Sequence, residues 1–271
     1  MTIKFGLIGG GVMGEALLSR LIARGIYHPT EVLVSEPHLP RQRLLEEHYS
    51  VAVTMDNRQL FTDTTEVVLL AVKPQVFSAI AQELADVMEM NSKPLIISIL
   101  AGVPLSQLEA AFPLLPVIRA MPNTPATVGA GITAMTSGAY TKANHIEMAR
   151  HLLAAVGDVV EVPEMLMDAV TGLSGSGPAY VALLIESLSD GGVSSGLPRA
   201  IAYQLALQTV LGTAKLLDET KIHPAELKDR VTSPGGTTIA GVAQLEKAGF
   251  RSAIIEAVIA ATARSQELGH G

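Results

Sequence analysis

Ser233-Pro234-Gly235-Gly236-Thr237-Thr238 sets two glycines between a proline and two hydroxyl residues, directly before the apolar-periodic run Ile239, Val242, Ala243 and Leu245. That order describes a turn feeding a helix N-terminus, where the first N–H groups lack intrahelical partners and the helix dipole is positive. A carboxylate-sized anion can rest on such groups if no side chain blocks the approach. Gly235 and Gly236 keep the approach open, and Thr237 and Thr238 offer hydroxyls beside the bound group. An ordinary capped turn between two helices has the same composition. The stretch gains its weight from what stands elsewhere in the chain.

Near the other end, Ile3–Ile8 reads as a short buried strand, followed by Gly9-Gly10-Gly11-Val12-Met13-Gly14 and an apolar-periodic helix over 15–24. Glycines at 9, 11 and 14 form G-x-G-x-x-G with a strand before it and a helix after it, the context a dinucleotide site requires. Gly9 permits the tight turn, Gly11 lets a pyrophosphate approach the backbone, and Gly14 lets helix and strand pack closely. Val12 and Met13 add N–H groups at the helix start. The chain thus offers a nicotinamide or flavin site at one end and a small-anion site at the other.

The elements that must position these residues follow from hydrophobic period. Strands are expected at 32–35, 51–53, 67–72, 95–100, 117–120, 132–135 and 159–162, alternating with helices at 41–48, 75–88, 104–112 and 143–156. Alternation of this kind reads as an α/β, doubly wound domain over 1–162. Ligands sit beyond the carboxyl ends of its strands. Ala71-Val72-Lys73-Pro74, Ala101-Gly102 and Met121-Pro122-Asn123 fall at such ends, and Ser35, Ala71–Pro74 and Ala101-Gly102 are the cofactor-binding candidates. Lys73, a cation at a helix start, is ill placed for the dipole and fits a contact to ribose, pyrophosphate or nicotinamide amide. Asn57, opening a short helix, is either an adenosine contact or a turn residue. Glu36, after the second strand, suits the ribose hydroxyls of NAD, whereas Arg41 and Arg43 suit a 2′-phosphate that Glu36 turns from or repels. Both signals stand. NADPH is the expected cofactor, with NADH also accepted.

From 163 to 271 no strand is expected, and helices read at 178–191, 198–217, 224–231, 237–247 and 250–267. The first two are apolar on nearly every face and must be buried. Five helices cannot cover both, but a second copy of the chain can, so this is an all-α dimerisation domain and at least a homodimer is expected. Leu173–Tyr180 is a small-residue loop that either lines a pocket, with Ser176 in it, or packs helices closely. Glu164, at the domain junction, is an ordinary surface acid by residue type.

The net charge of −7 argues against nucleic acid or an anionic membrane as partner. With no cysteine, thiolate and disulfide chemistry are excluded, and seven scattered histidines give no metal-ligand spacing. The longest later apolar run, 179–188, is too short to span a bilayer, and the N-terminus reads as a strand rather than a targeting peptide. A cytoplasmic protein is expected.

GLIGGGVMG (6–14), AVKPQ (71–75), MPNTP (121–125), TGLSGSGPAY (171–180), DGGVSSGLPR (190–199) and VTSPGGTTIAGVAQLE (231–246) follow one another through the chain. Together they resemble the pyrroline-5-carboxylate reductase family over essentially the whole length, the last block most specifically. The resemblance implies an N-terminal Rossmann domain and a helical domain that interlaces in a dimer, often built into a larger ring of dimers. It implies NAD(P)H-dependent reduction of 1-pyrroline-5-carboxylate to L-proline, the final step of proline biosynthesis. On this resemblance Ser233, Gly235, Gly236, Thr237 and Thr238 bind the substrate carboxylate, Thr238 also meets the ring nitrogen, and Glu164 and Ser176 join the substrate-binding set. Arg230 stands where some relatives carry Asn.

The residues read by themselves agree. A cyclic imine acid needs a carboxylate cradle and a hydride donor; its protonated imine is already electrophilic, so no His/Asp pair is demanded, and orientation does the catalysis. A β-hydroxyacid dehydrogenase or another imine reductase shares the glycine fingerprint. The former class resembles GGxxxAxxGxLxxxxGG followed by a catalytic lysine, whereas here Leu173–Tyr180 runs into an apolar helix without lysine. A nucleotide-sensing regulator on a dead reductase fold would need a damaged substrate loop, and Ser233–Thr238 is intact.

Overall fold

The structure, a computed structural model, describes residues 2–87 and 93–269. Contacts divide the chain into two units, one reaching Gly175 and resuming at Ala261, the other spanning Ser176–Ala260.

The first unit is built on one sheet with strands β1 (Ile3–Ile8), β2 (Val32–Ser35), β3 (Ala52–Thr54), β4 (Thr64–Leu70), β5 (Leu95–Ser98), β6 (Val117–Met121), β7 (Gly131–Ser137) and β8 (Gly157–Glu161), in the order β3-β2-β1-β4-β5-β6-β7-β8. Helices α1 (Val12–Ala23), α2 (Leu39–Tyr49), α3 (Asn57–Asp63), α4 (Phe77–Leu84), α5 (Leu105–Ala111) and α6 (Ala143–Leu153) lie between them, and the single turn α7 (Met167–Val170) follows β8. The continuous apolar runs of the central strands feed two cores at once. Phe5 and Leu7 of β1, Val67 and Leu69 of β4, and Leu95 and Ile97 of β5 enter one cluster with Leu17, Leu18 and Leu21 of α1. Ile8, Val68, Leu70 and Ile96 enter the other with Phe61, Phe77 and Phe112. Side chains alternate faces along a strand, so an unbroken apolar run is what a sheet covered on both sides requires.

Four elements differ from the sequence expectation. β7 pairs antiparallel with β6, Arg119 opposite Thr136, while every other pairing is parallel. Only residues 122–130 join these two strands, too few for the crossover that a parallel partner needs. The strands expected at 67–72 and 95–100 end at Leu70 and Ser98, which leaves Ala71–Pro74 and Ala101–Gly102 as connections. The helix expected at 75–88 is divided, with 3₁₀ turns at Pro74–Val76 and Ala85–Val87 flanking α4; Met88 lies outside the described residues.

The second unit is helical: α8 (Gly177–Ser194), α9 (Arg199–Thr220), α10 (Pro224–Arg230), α11 (Thr237–Lys247) and the first part of α12 (Phe250–Gly269). α8 and α9 form a hairpin closed by an ion pair between Arg199 and Asp190. Where they meet, Gly192 leaves room for Ala202, whose methyl would stand 3.1 Å from an added Cβ. Only Ser189, Ala202 and Ala206 of this pair are buried. Leu183 is 63% and Leu211 58% exposed. No helix among the described residues is long and apolar enough to cross a membrane.

Candidate active site

The cofactor candidates gather at one edge of the sheet because the strands end level. Ile8 of β1 pairs with Ser35 of β2 and Leu70 of β4, and Leu70 pairs with Ser98 of β5. Backbone bonds tie the first residues beyond: Gly9 N–H donates to Ser35 O at 2.9 Å, and Ala71 N–H to Ile8 O at 2.8 Å. Gly9, Ser35, Ala71–Pro74 and Ala101–Gly102 thus share the carboxyl edge, where an open α/β sheet binds ligands.

Each fingerprint glycine has its own reason. Gly9 has φ +101°, and a Cβ there would lie 2.8 Å from the Ala71 carbonyl oxygen. Gly14 passes so close to Gly9 that a Cβ would meet its carbonyl oxygen at 2.2 Å. Gly11 is different: a Cβ would find nothing within 4 Å. Space is kept open at the N-cap of α1, where no side chain caps the helix. The uncapped start of α1, with Val12, Met13 and Gly14 as its first residues, and the empty space at Gly11 fit a dinucleotide pyrophosphate.

Around the loop Glu36 and Arg41 stand in a polar network that Glu15 and Tyr49 complete. Glu36 is buried, and its Oε2 accepts from Gly10 N–H at 3.0 Å while Oε1 accepts from His38 N–H at 3.0 Å. Arg41 donates through Nε to Gly10 O at 2.5 Å and pairs with Glu15, which also accepts from Tyr49 Oη–H at 2.8 Å. Burial alone would raise the Glu15 carboxyl, but the hydrogen bonds from Arg41 and Tyr49 hold it below the usual carboxylate range. A depressed native value adds stability above the ordinary carboxyl range and loses it as pH falls through that value. Arg43 lies exposed on α2.

Asn57 is the first residue of α3, whose N-cap is Asp56. Its Oδ1 accepts from the Ser35 hydroxyl at 2.7 Å, and its Nδ2 donates to Glu83 at 2.8 Å. Ser35 and Asn57 are therefore one hydrogen-bonded pair at the end of β2. Lys73 is exposed at the start of the Pro74 turn.

The substrate candidates divide between the units. In the second, Gly236 N–H donates to Ser233 O at 3.0 Å across Pro234 and Gly235, and Gly235 has φ +68°. Proline then a positive-φ glycine is the pattern of a type II turn. The turn delivers the chain to Gly236, the N-cap of α11, where no side chain caps the helix. An added Cβ at Gly236 would strike the Ser233 hydroxyl at 2.3 Å. Thr237 and Thr238 are the first two residues of the helix and exposed. The result is an open, uncapped helix start beside three hydroxyls, suited to a carboxylate.

Glu164 belongs to the first unit. Its Oε1 accepts from Arg119 at 2.6 Å and from Leu105 N–H at 3.0 Å, so it anchors α5 to β6. The sequence signal was Arg119, a charge inside the buried strand VIRAM, which needs a partner. The loop expected over 173–180 is instead helical. Thr171–Gly175 makes a π-turn and α8 follows from Gly177, with Ser176 as its N-cap. Thr171 and Ser174 donate their hydroxyls to carbonyls four residues back, and Gly175 has the Met121 methyl 2.8 Å from where a Cβ would stand. Hydroxyl back-bonding and close approach let the helix continue where composition suggests a loop.

Comparison with known proteins bears on this arrangement. Residues 164–268 match the family model described as pyrroline-5-carboxylate reductase dimerisation, and residues 4–102 the model of coenzyme F420-dependent NADP oxidoreductases. A pyrroline-5-carboxylate reductase of Synechocystis sp. is 61% identical over 99% of both chains. The structure of one from Coxiella burnetii is 36% identical, with a TM-score of 0.90 over 99% of each chain. A pyrroline carboxylate reductase of Plasmodium falciparum, solved with NADP bound, is 30% identical, with a TM-score of 0.88 over 98% of each chain.

Proposed function

The chain belongs to the pyrroline-5-carboxylate reductase family, and from that premise we propose that it reduces 1-pyrroline-5-carboxylate to L-proline with NADPH. What carries the assignment is the Ser233–Gly236 turn opening onto the uncapped start of α11, an anion cradle within the most specific block of the sequence. Incubating the protein with 1-pyrroline-5-carboxylate and NADPH is expected to form proline, detected by mass spectrometry. Folded protein that forms none with NADPH or NADH contradicts the proposal.

In this reading residues 1–162 hold the cofactor and 163–271 hold the substrate and the dimer, in a cytoplasmic enzyme whose dimers can assemble into a ring. NADPH, when bound, supplies the hydride. Gly9, Gly11, Val12, Met13 and Gly14 seat its pyrophosphate, Ser35 and Asn57 stand at its adenosine end, and Ala71–Pro74 with Ala101 and Gly102 border its nicotinamide half. Ser233, Gly235, Gly236 and Thr237 hold the substrate carboxylate through backbone N–H groups and hydroxyls. Thr238 bonds the ring nitrogen and turns the imine carbon toward the donor. The protonated imine needs no further acid, so rate comes from orientation.

Thr238→Ala is expected to lower kcat/KM about ten- to a hundredfold, the worth of one hydrogen bond of roughly 1.5–3 kcal/mol to a partly charged group. Cofactor affinity and Tm are expected to stay unchanged, and Thr238→Ser to keep much of the activity. Thr238 is exposed and the cap of α11 is Gly236. A variant that melts early with normal kcat/KM per folded molecule assigns Thr238 to the helix rather than to the substrate.

NADPH is the proposed preference because Arg41, which also pairs with Glu15, lies against the glycine loop and Arg43 is exposed on the same helix, two cations of the kind that suit a 2′-phosphate. Arg41→Ala is expected to lower the NADPH-to-NADH ratio of kcat/KM. An unchanged ratio removes Arg41 from 2′-phosphate recognition.

A further inference from the structure

Glu36 directly follows β2, where an acidic side chain ordinarily accepts from the ribose hydroxyls of NAD and repels a 2′-phosphate. Here the same residue type is differently employed. The residue is only 5% exposed. One carboxylate oxygen accepts from Gly10 N–H, inside the glycine loop, and the other from His38 N–H, at the N-cap of α2. Its own backbone is fixed on both sides: N–H donates to Thr54 O at 3.1 Å, and its carbonyl accepts from Gln42 Nε2 at 2.6 Å. Gly10 has no room for a side chain: a Cβ there would meet Leu45 at 2.5 Å and Glu36 Oε2 at 3.3 Å. On the far side of the same peptide, Gly10 O accepts from Arg41. The second glycine of the loop is gripped at its N–H by Glu36 and at its carbonyl by Arg41.

We propose that Glu36 is a positioning residue for the dinucleotide loop and does not read the ribose. This rests on the cofactor site assigned above. A carboxylate pinned through both oxygens by backbone N–H groups keeps spare lone pairs, but one so withdrawn from solvent offers a ribose hydroxyl little surface from which to reach them. Its work is to lock Gly10 so that the open space at Gly11 and the uncapped N–H groups of α1 face the pyrophosphate. The acid that would mark the chain as NAD-specific is thereby removed from the ribose, and a 2′-phosphate is admitted despite the glutamate. Two cofactors that differ only in that phosphate then depend on Glu36 in the same direction, because both need the pyrophosphate seat.

The test is the dissociation constant of NADPH and of NADH, each from nicotinamide fluorescence in titrations of wild-type and Glu36→Gln protein, with Tm recorded alongside. Glutamine keeps the shape but replaces one acceptor by a donor, so one of the two N–H bonds is lost. Both cofactors are expected to bind about tenfold more weakly. Glu36→Asp, which keeps the charge but is too short to reach both N–H groups, is expected to weaken both as well, and it stands in if Glu36→Gln does not fold. A ribose reader behaves otherwise: NADH weakens while NADPH tightens, since a ribose contact is lost and a repulsive charge removed. That opposite movement overturns the proposal, as do two constants left unchanged. Wild-type protein that binds neither cofactor overturns the cofactor site itself, an outcome distinct from the other two.

Discussion

Gly14→Ala and Gly11→Ala are expected to weaken NADPH binding to a similar degree, roughly hundredfold, for opposite structural reasons. At Gly14 the new methyl would lie 2.2 Å from the Gly9 carbonyl oxygen. Backbone cannot yield as a side-chain tip does, so α1 must move off β1. Overpacking of this kind costs about 1–3 kcal/mol, and misplacing a binding element by about 1 Å costs on the order of a hundredfold. The Gly14 variant should therefore melt several degrees earlier and bind poorly. At Gly11 the methyl meets no protein atom within 4 Å and φ is −68°, open to any residue. Alanine there should leave Tm unchanged or slightly raised, since it restricts the unfolded chain. It loses affinity because it stands where the pyrophosphate goes. Fluorescence titration and thermal melts of the two variants check this. A Gly11→Ala protein that binds NADPH normally shows that the pyrophosphate is not seated on this loop.

The second large effect concerns association. Leu183 on α8 and Leu211 on α9 are exposed in the single chain, as are Leu205 and Ile259, and patches of this kind mark interfaces. Leu183→Asp with Leu211→Asp costs a single chain little, because both positions face outward. In a two-fold dimer each substitution occurs twice, so four carboxylates would enter an apolar contact, each at a penalty of several kcal/mol. The double variant is expected to run as a monomer in light scattering and to lose at least a hundredfold in activity, with the Rossmann unit still binding NADPH. A wild-type protein that is monomeric and fully active contradicts the interface.

How much of this was legible in the sequence depends on how local each requirement is. Gly9, Gly11 and Gly14 could be assigned individually because each answers to its immediate surroundings: a positive φ, an open space, a close contact. The Ser233–Thr238 turn was equally readable, since proline followed by glycine encodes it. The reversal of β7 breaks the alternation that its neighbours follow, and its cause, the short connection over 122–130, is visible in the chain. The π-turn at Thr171–Gly175 was not readable, because glycine and serine favour loops by composition and only the hydroxyl bonds and the Met121 contact keep them helical. Nor could the sequence choose between a Glu36 that meets the ribose and one that turns away, since its partner Gly10 lies 26 residues away. Sequence placed Glu36 at the right point of the fold; only the hydrogen bonds reveal what it holds. The apolar faces of α8 and α9 are legible as more than one chain covers, and Leu183, Leu205 and Leu211 stand exposed in it.

The central claim is that hydride passes from the nicotinamide to the imine carbon of a substrate held by its carboxylate at Ser233–Thr238. Its most direct measurement uses NADPH deuterated at the transferred position of the nicotinamide ring, with 1-pyrroline-5-carboxylate as acceptor and the product analysed by mass spectrometry. The account predicts L-proline heavier by one mass unit, with the deuterium on the ring carbon bonded to nitrogen and away from the carboxylate. Proline formed without the label, or label found at any other carbon, contradicts it.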